Sequence, residues 1–204
     1  MFILTRCNVI IRSVGLCVPL CSVSAKNLQK NEAIGVVMNK LFMIYLGGSA
    51  PNANLELHDI QFVIAPCIED TYGRLIKRWF GNTKGLHLDS YKHITGADGY
   101  EISIDAQPQQ TDLNLYFVNL GGYDKNKMAE IHEFGLFVAL SPDEAKRKAK
   151  RQLLKNGYTV HKDNLMEVDS CLELSLLDQQ YIHLRKSNVS YDLKPDWYGY
   201  HVIA

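Results

Sequence analysis

A chain of 204 residues with 22 lysines and arginines against 22 aspartates and glutamates has no formal net charge, which argues against a dedicated nucleic-acid or anionic-membrane protein. The length suits one large domain or two small ones. The five cysteines (Cys7, Cys17, Cys21, Cys67, Cys171) fall in no CxxC or metal-ligand spacing, so a disulfide framework is not indicated and a reducing cytoplasm is the expected setting.

Residues 1–37 come before anything that repeats. Met1 to Ala25 has the loose outline of a secretory signal, with Arg6 near the front, an apolar run from Val14 to Leu20, and Ser22-Val23-Ser24-Ala25 after it. Arg12 interrupts that outline, Pro19 breaks it, and the stretch is too short to cross a bilayer. The preferred reading makes Met38 the working start, with residues 1–37 an extension of the reading frame.

From there the sequence says the same thing twice. Leu41-Phe42-Met43-Ile44-Tyr45-Leu46-Gly47-Gly48 returns as Leu115-Tyr116-Phe117-Val118-Asn119-Leu120-Gly121-Gly122, an offset of 121 − 47 = 74 that also relates His58 to His132 and His87 to His161. A repeat of that length is one supersecondary unit built twice, with residues 38–104 and 113–186 as the units and the polar, proline-containing 105–112 as linker.

Each unit opens on a continuous apolar run, Leu41 to Leu46 or Leu115 to Leu120, expected to be a strand buried on both faces and ended by the glycine pair. A polar loop leads to a second strand, Asp59 to Ala65 or Glu133 to Leu140, which should complete an antiparallel hairpin. A helix follows. The first spans about Cys67 to Phe80; the second has Ser141 as N-cap, Pro142 at N1, Glu144 completing a capping box, and Asn156-Gly157 as its end. Third strands are expected at Gly85 to Asp89 and Thr159 to Asp163, and fourth strands at Tyr100 to Ile104 and Tyr181 to Leu184. The expected fold is therefore α+β, two tandem ββαββ roll-like units, each an antiparallel sheet with one packed helix, related by a pseudo-twofold. An aromatic tail over 187–204, with Tyr191, Trp197, Tyr198 and Tyr200, lies outside the repeat; covering a sheet edge is its plainest role, with lining a ligand groove or self-association into a homo-oligomer as the others.

Polar residues that match at the same offset are Asn52/Asn126, Glu56/Glu130, His58/His132, Asn82/Asn156, His87/His161 and Asp89/Asp163. Two histidines and two acids per unit is the pattern of a metal or acid-base site, so His58, His87, Asp89, His132, His161 and Asp163 are the catalytic candidates. Against that, His58 shares its strand face with Ile60, Phe62 and Ile64, and a buried ring bonded to nearby backbone would be structural. Capping or turn roles likewise suit both aspartates. Gly47, Gly48, Gly121 and Gly122 could form a backbone nest for an anion, and Trp197 and Tyr200 could line a ligand groove. The basic faces of the helices, Arg74, Lys77 and Arg78 in one and Lys146 to Lys155 in the other, lack the interleaved aromatics of a nucleic-acid surface.

Met38 to Gly48, Glu56-Leu57-His58-Asp59, Leu115 to Tyr123, His132 to Val138 and His161 to Leu165 together resemble the bacterial family called domain of unknown function 1543, over nearly all of the chain from Met38 onward. The resemblance implies one or two copies of a single small domain, in proteins that commonly begin near this Met38, and it brings no established activity or cofactor. The leading expectation is a non-catalytic module binding a small molecule or a protein at the seam between the units. The alternative is a hydrolase-like enzyme, metal-assisted or using His/Asp acid-base chemistry, for which a divalent metal would be the cofactor.

Overall fold

The computed structural model describes residues 38–153 and 168–204; the expectations for residues 1–37, for a helix end at 156–157 and for a strand at 159–163 lie outside the described residues. The first repeat supplies β1 (Lys40–Gly48), β2 (Leu57–Ala65), a 3-10 turn (Glu69–Thr71) running into α1 (Tyr72–Arg78), β3 (His87–His93), β4 (Gly96–Ala97) and β5 (Tyr100–Asp105). The second supplies β6 (Asn114–Gly122), β7 (Ile131–Ala139), α2 (Pro142–Gln152), β8 (Val168–Glu173), β9 (Leu176–Leu177) and β10 (Gln180–Lys186), and the tail adds β11 (Trp197–Val202).

The architecture is α+β and antiparallel, but the last strands of each repeat leave their own sheet. One sheet has the order β11-β3-β1-β2, another β7-β6-β8, and a third, β4-β5-β10-β9, is assembled from both repeats through the β5–β10 pairing. Each repeat is therefore ββαβ plus a detached hairpin, rather than a self-contained ββαββ roll. The reason is the length of β3: it runs on to His93, and the chain then turns away through Ile94 and Thr95 into a tight hairpin. In that hairpin Asp98 and Gly99 both have positive φ, 50° and 81°, as do Asp178 and Gln179 in the second, 51° and 65°, the geometry that joins two strands with a two-residue turn.

Those turns fasten the repeats to each other. The Asp178 carboxylate, from the second repeat, accepts hydrogen bonds from the Ile64 N–H of β2 at 3.0 Å and from Arg78 of α1 at 2.6 Å, with Arg74 at 3.1 Å. Asp98, from the first repeat, accepts from the Val138 N–H of β7 at 3.1 Å and from Lys148 of α2 at 3.0 Å. Each aspartate thus satisfies a strand N–H and a helix cation of the opposite repeat.

Among the described residues, three apolar clusters form the core. Phe42, Ile44, Leu46 and Val63 pack on Leu75 and Trp79 beneath α1, while Tyr116, Val118, Leu120 and Phe137 pack on Ala145 and Ala149 beneath α2. The third and largest joins Leu41, Met43, Phe62 and Ile64 to Leu115, Phe117, Leu136 and Val138, and takes in Ile102, Ile182 and Leu184 of the shared sheet. Strands β1 and β6 are accordingly buried on both faces, as their unbroken apolar runs require. The α2 start is as the sequence indicates: Ser141 Oγ accepts from the Glu144 N–H at 3.3 Å, with Pro142 at the first helical position. The Glu144 carboxylate reaches back to the Leu140 N–H at 3.0 Å.

The tail covers an edge. β11 pairs with β3, Trp197 stacks on Tyr91 with ring centroids 6.0 Å apart, and Asp196 clips the junction by accepting from Lys92 Nζ and the His93 N–H, both at 2.8 Å. Burial alone would raise the Asp196 carboxyl, but the donors Lys92 and His93, with their positive charge, outweigh it and hold the group below the ordinary aspartate value. A carboxyl held low in the folded chain stabilises above the unfolded value and loses that contribution as pH falls through the folded one. The tail is therefore expected to loosen as pH drops below about 4, seen as a change in Trp197 fluorescence in a Trp79→Phe background. Asp196→Asn should remove this acid step, and identical titrations of the two proteins would contradict the clip.

Candidate functional site

The site is organised around a missing side chain. In β1, Gly47 is directly opposite His58 of β2 on one side and His87 of β3 on the other. Directly opposed residues on neighbouring antiparallel strands put their side chains on the same face, so two imidazoles flank a position that has none. A Cβ at Gly47 would lie 2.4 Å from His87 Nε2 and 2.9 Å from Asp89 Oδ2. Glycine here is required by close approach, since His87 fills the space a side chain would take.

A β-bulge delivers the aspartate. Tyr45 pairs with Ser90 and Leu46 with Leu88, which leaves Asp89 as the extra residue on β3. Bulges re-aim side chains, and this one turns Asp89 toward both histidines. Glu56, just ahead of β2, closes the group from the other side. His87 Nε2 is 3.2 Å from Glu56 Oε1 and 3.4 Å from Asp89 Oδ1; His58 Nε2 is 3.5 Å from Asp89 Oδ2 and 3.7 Å from Glu56 Oε2. Two carboxylates thus alternate with two imidazoles around a ring of four.

Its members differ in exposure. His87 is 1 % exposed, against side-chain exposures of 28 % for Asp89, 38 % for His58 and 49 % for Glu56. The His87 ring is held on its other side by a 2.9 Å contact from Nδ1 to the Gly85 carbonyl, and the Tyr200 ring from β11 lies on it at 4.1 Å. Tyr45 stacks on His58 at 5.3 Å, and its hydroxyl is pushed above the ordinary tyrosine value by burial and then by the Asp89 charge.

A carbonyl can only accept, so His87 Nδ1 carries the proton and Nε2 of a neutral ring is a lone pair. That nitrogen and Asp89 Oδ2 are both buried without a hydrogen bond. Acceptors gathered this closely repel one another unless something positive lies among them. Among the described residues, no three His, Cys, Asp or Glu side chains yet surround one point at ligand distance.

The ring of four stands at one end of a cleft of about 660 Å³ between the hairpins of the two repeats, with Tyr45, Phe117 and Phe134 as aromatic surface and Glu56, His58, Asp59, Asn119 and His132 as polar groups. Phe134 faces Tyr45 at 6.3 Å and Phe117 at 5.9 Å.

The second repeat reproduces only part of this. His132 is opposite Gly121 as His58 is opposite Gly47, and Glu130 lies 3.7 Å from its Nε2. Where the first repeat has Tyr45, the second has Asn119, whose amide is 3.4 Å from His132 Nδ1. The offset of 74 does not persist through the third strand. Leu46 pairs with Leu88 while Leu120 pairs with Val168, an offset of 168 − 88 = 80. Counting in that register, His87 answers to position 167, a glutamate in the sequence, and not to His161; Asp89 answers to Asp169 and not to Asp163. His161 and Asp163 themselves lie outside the described residues.

Several other expectations change. His58 and His132 sit at the open margin of the central core, both exposed, and not inside it. The glycine pairs are the last two residues of β1 and β6, as expected, but they are still paired in the sheet and none of the four has positive φ, so no anion nest forms there. Gly48 instead admits Trp79, whose Cζ2 would be 2.8 Å from a Cβ. Trp197 packs under the tail against Tyr91, and Tyr200 touches the candidate site through His87. Sequence reading passed over Tyr45 and gave Glu56 no role; the Glu56/Glu130 match was the available signal for the latter.

The family described as Domain of Unknown Function (DUF1543) matches residues 53–104 and 127–177. No curated protein matches the chain. Among solved structures, the crystal structure of a protein Il1583 from Idiomarina loihiensis is similar, with 38 % identity over 81 % of this chain and 99 % of that one and a TM-score of 0.64. The chain belongs to the DUF1543 family, present as two tandem matches. No helix among the described residues is long and apolar enough to cross a membrane.

Gly47→Ala forces a methyl into the His87 ring, whose backbone and Nδ1 are both fixed, and should destabilise the protein by about 1–3 kcal/mol in chemical denaturation. Gly73→Ala in α1, where a Cβ meets nothing within 4 Å, serves as the control and should be neutral or stabilising. Equal stability of the two variants would contradict the close approach.

Proposed function

We propose that this DUF1543 protein binds a small, flat, positively charged or hydrogen-bond-donating molecule in the cleft between its repeats. The observation that carries this is the cleft itself: about 660 Å³, within the size range of small-molecule sites, lined by the rings of Tyr45, Phe117 and Phe134 and by the carboxylates of Glu56 and Asp59. A planar ligand would lie against Tyr45, Phe117 and Phe134, and Glu56 and Asp59 would accept from its donors while His58 orients it. The seam between units as a binding place is in keeping with the reciprocal Asp98 and Asp178 contacts, which also support a pseudo-twofold relation between the repeats. A bacterial, cytoplasmic setting suits Cys67 and Cys171, both free thiols.

An acid-base enzyme is the second reading, favoured by one specific observation, the buried and unpartnered Nε2 of His87 beside Asp89. In it His87 would exchange a proton with a substrate and Asp89 would orient His58.

The binding reading is tested with benzamidine, a planar aromatic cation, titrated into isotopically labelled protein. The expected result is saturable shifts at Tyr45, His58, Phe117 and Phe134, with affinity lowered at least about tenfold by Phe134→Ala, the loss of one aromatic contact of about 1.4 kcal/mol. Shifts spread over the surface without saturation, or an unaffected variant, would contradict it.

A further inference from the structure

We propose that Glu56, His58, His87 and Asp89 bind one divalent transition-metal ion of the zinc class in the first repeat. This goes beyond the cleft reading: it shares Glu56 and His58 with it but rests on His87 and Asp89, which do not line the cleft.

Four observations converge on a metal. His87 is buried to 1 % exposure, with Nδ1 satisfied by Gly85 and Nε2 aimed at oxygens without a hydrogen bond. A histidine that ligates through one ring nitrogen ordinarily bonds the other to a carbonyl or carboxylate, which fixes tautomer and orientation; Gly85 supplies that bond. The oxygens nearest Nε2, at 3.2 and 3.4 Å, do not lie where a ring N–H would reach them as a hydrogen bond, so a single proton does not serve both. The missing Cβ at Gly47 lets His87 Nε2 and Asp89 Oδ2 come together on the face of β1 that His58 also occupies.

The spacing suits the ion. Four nitrogen and oxygen ligands about 2.0–2.1 Å from a tetrahedral zinc are separated from one another by about 3.4 Å. Here each imidazole Nε2 lies 3.2–3.7 Å from one oxygen of each carboxylate, Glu56 and Asp89 each turning one oxygen to His87 and the other to His58. The donors do not yet converge on one point; small rotations of Glu56, His58 and Asp89, all partly exposed, would bring them onto an ion fixed by His87. Two imidazoles and two carboxylates favour zinc, cobalt or iron over magnesium, which prefers oxygen ligands and retained water. Charge agrees too, since a dication would offset the two carboxylates gathered around the buried His87 Nε2.

The second repeat is the internal control. It keeps His132 and Glu130, but counting in the register of its third strand the residue that answers to His87 is a glutamate in the sequence, so the anchoring imidazole is replaced.

The test uses the full chain, stripped with chelator and titrated with Zn2+ by calorimetry, with Co2+ absorption as a second probe. The expected result is one equivalent bound, the intense visible bands of tetrahedral cobalt, and no comparable binding of Mg2+. Glu56→Gln and His58→Ala change exposed side chains and should leave the protein folded by circular dichroism. Each should weaken Zn2+ by more than about tenfold, and His132→Ala should not. No Zn2+ binding by the folded chain overturns the proposal. So does binding of equal strength in Glu56→Gln and His58→Ala, which would place the ion elsewhere, such as on cysteines or histidines outside these four. Benzamidine shifts in the stripped protein are a separate readout, so loss of either reading leaves the other standing or falling on its own result.

Discussion

The structure depends on an exchange. Each repeat sends a short hairpin out of its own sheet, and the turn of that hairpin places an aspartate on a strand N–H and a helix cation of the other repeat. Without Asp178, the Ile64 N–H would lose its acceptor and Arg74 and Arg78 a carboxylate partner; without Asp98, the Val138 N–H would lose its acceptor and Lys148 one of its own. Hydrogen bonds to charged groups are among the stronger local contributions to stability, and a buried donor left alone costs about 1–3 kcal/mol. These contacts hold β2 opposite β7, and that placement makes the cleft.

The same exchange explains the central core. Units of this size bury too little surface to be secure alone, and neither repeat has a closed interior. Leu41, Phe62 and Ile64 are covered only because Leu115, Phe117 and Leu136 lie opposite, with Ile102 and Ile182 of the shared sheet alongside. At the open end of that core the apolar pairs give way to Tyr45, His58, Asn119 and His132, and the cleft begins there. The candidate site is thus a continuation of the core's own strand pairing, with polar residues where the packing runs out.

Much of this was legible in the chain. Unbroken apolar runs marked β1 and β6 as strands buried on both faces; the Ser141-Pro142 start of α2 followed from capping chemistry; the repeat itself pointed to two related units. What the sequence concealed follows from physical causes. A constant offset of 74 made His161 look like the partner of His87, but the pairing of β8 with β6 adds six residues, on both sides of a bulge that the two repeats share. Gly47 and Gly48 read as a strand exit because glycine commonly ends strands; they do end β1, but each also makes room for a ring, His87 in one case and Trp79 in the other. His58 read as a core residue from its alternation with Phe62 and Ile64, and alternation fixes a face without saying where along the strand the core stops. The grouping of Glu56 with Asp89 lay beyond local pattern, since it needs three strands and a bulge to bring them together.

The two repeats form one cooperative structure through the exchanged hairpins, and native-state amide hydrogen exchange at Ile64 and Val138 reads that coupling directly. If the exchange locks the repeats, both amides open only with global unfolding, at the same free energy and with the same denaturant dependence. If one of them exchanges through a much cheaper opening while the other stays protected, the repeats fold independently and the coupling is contradicted.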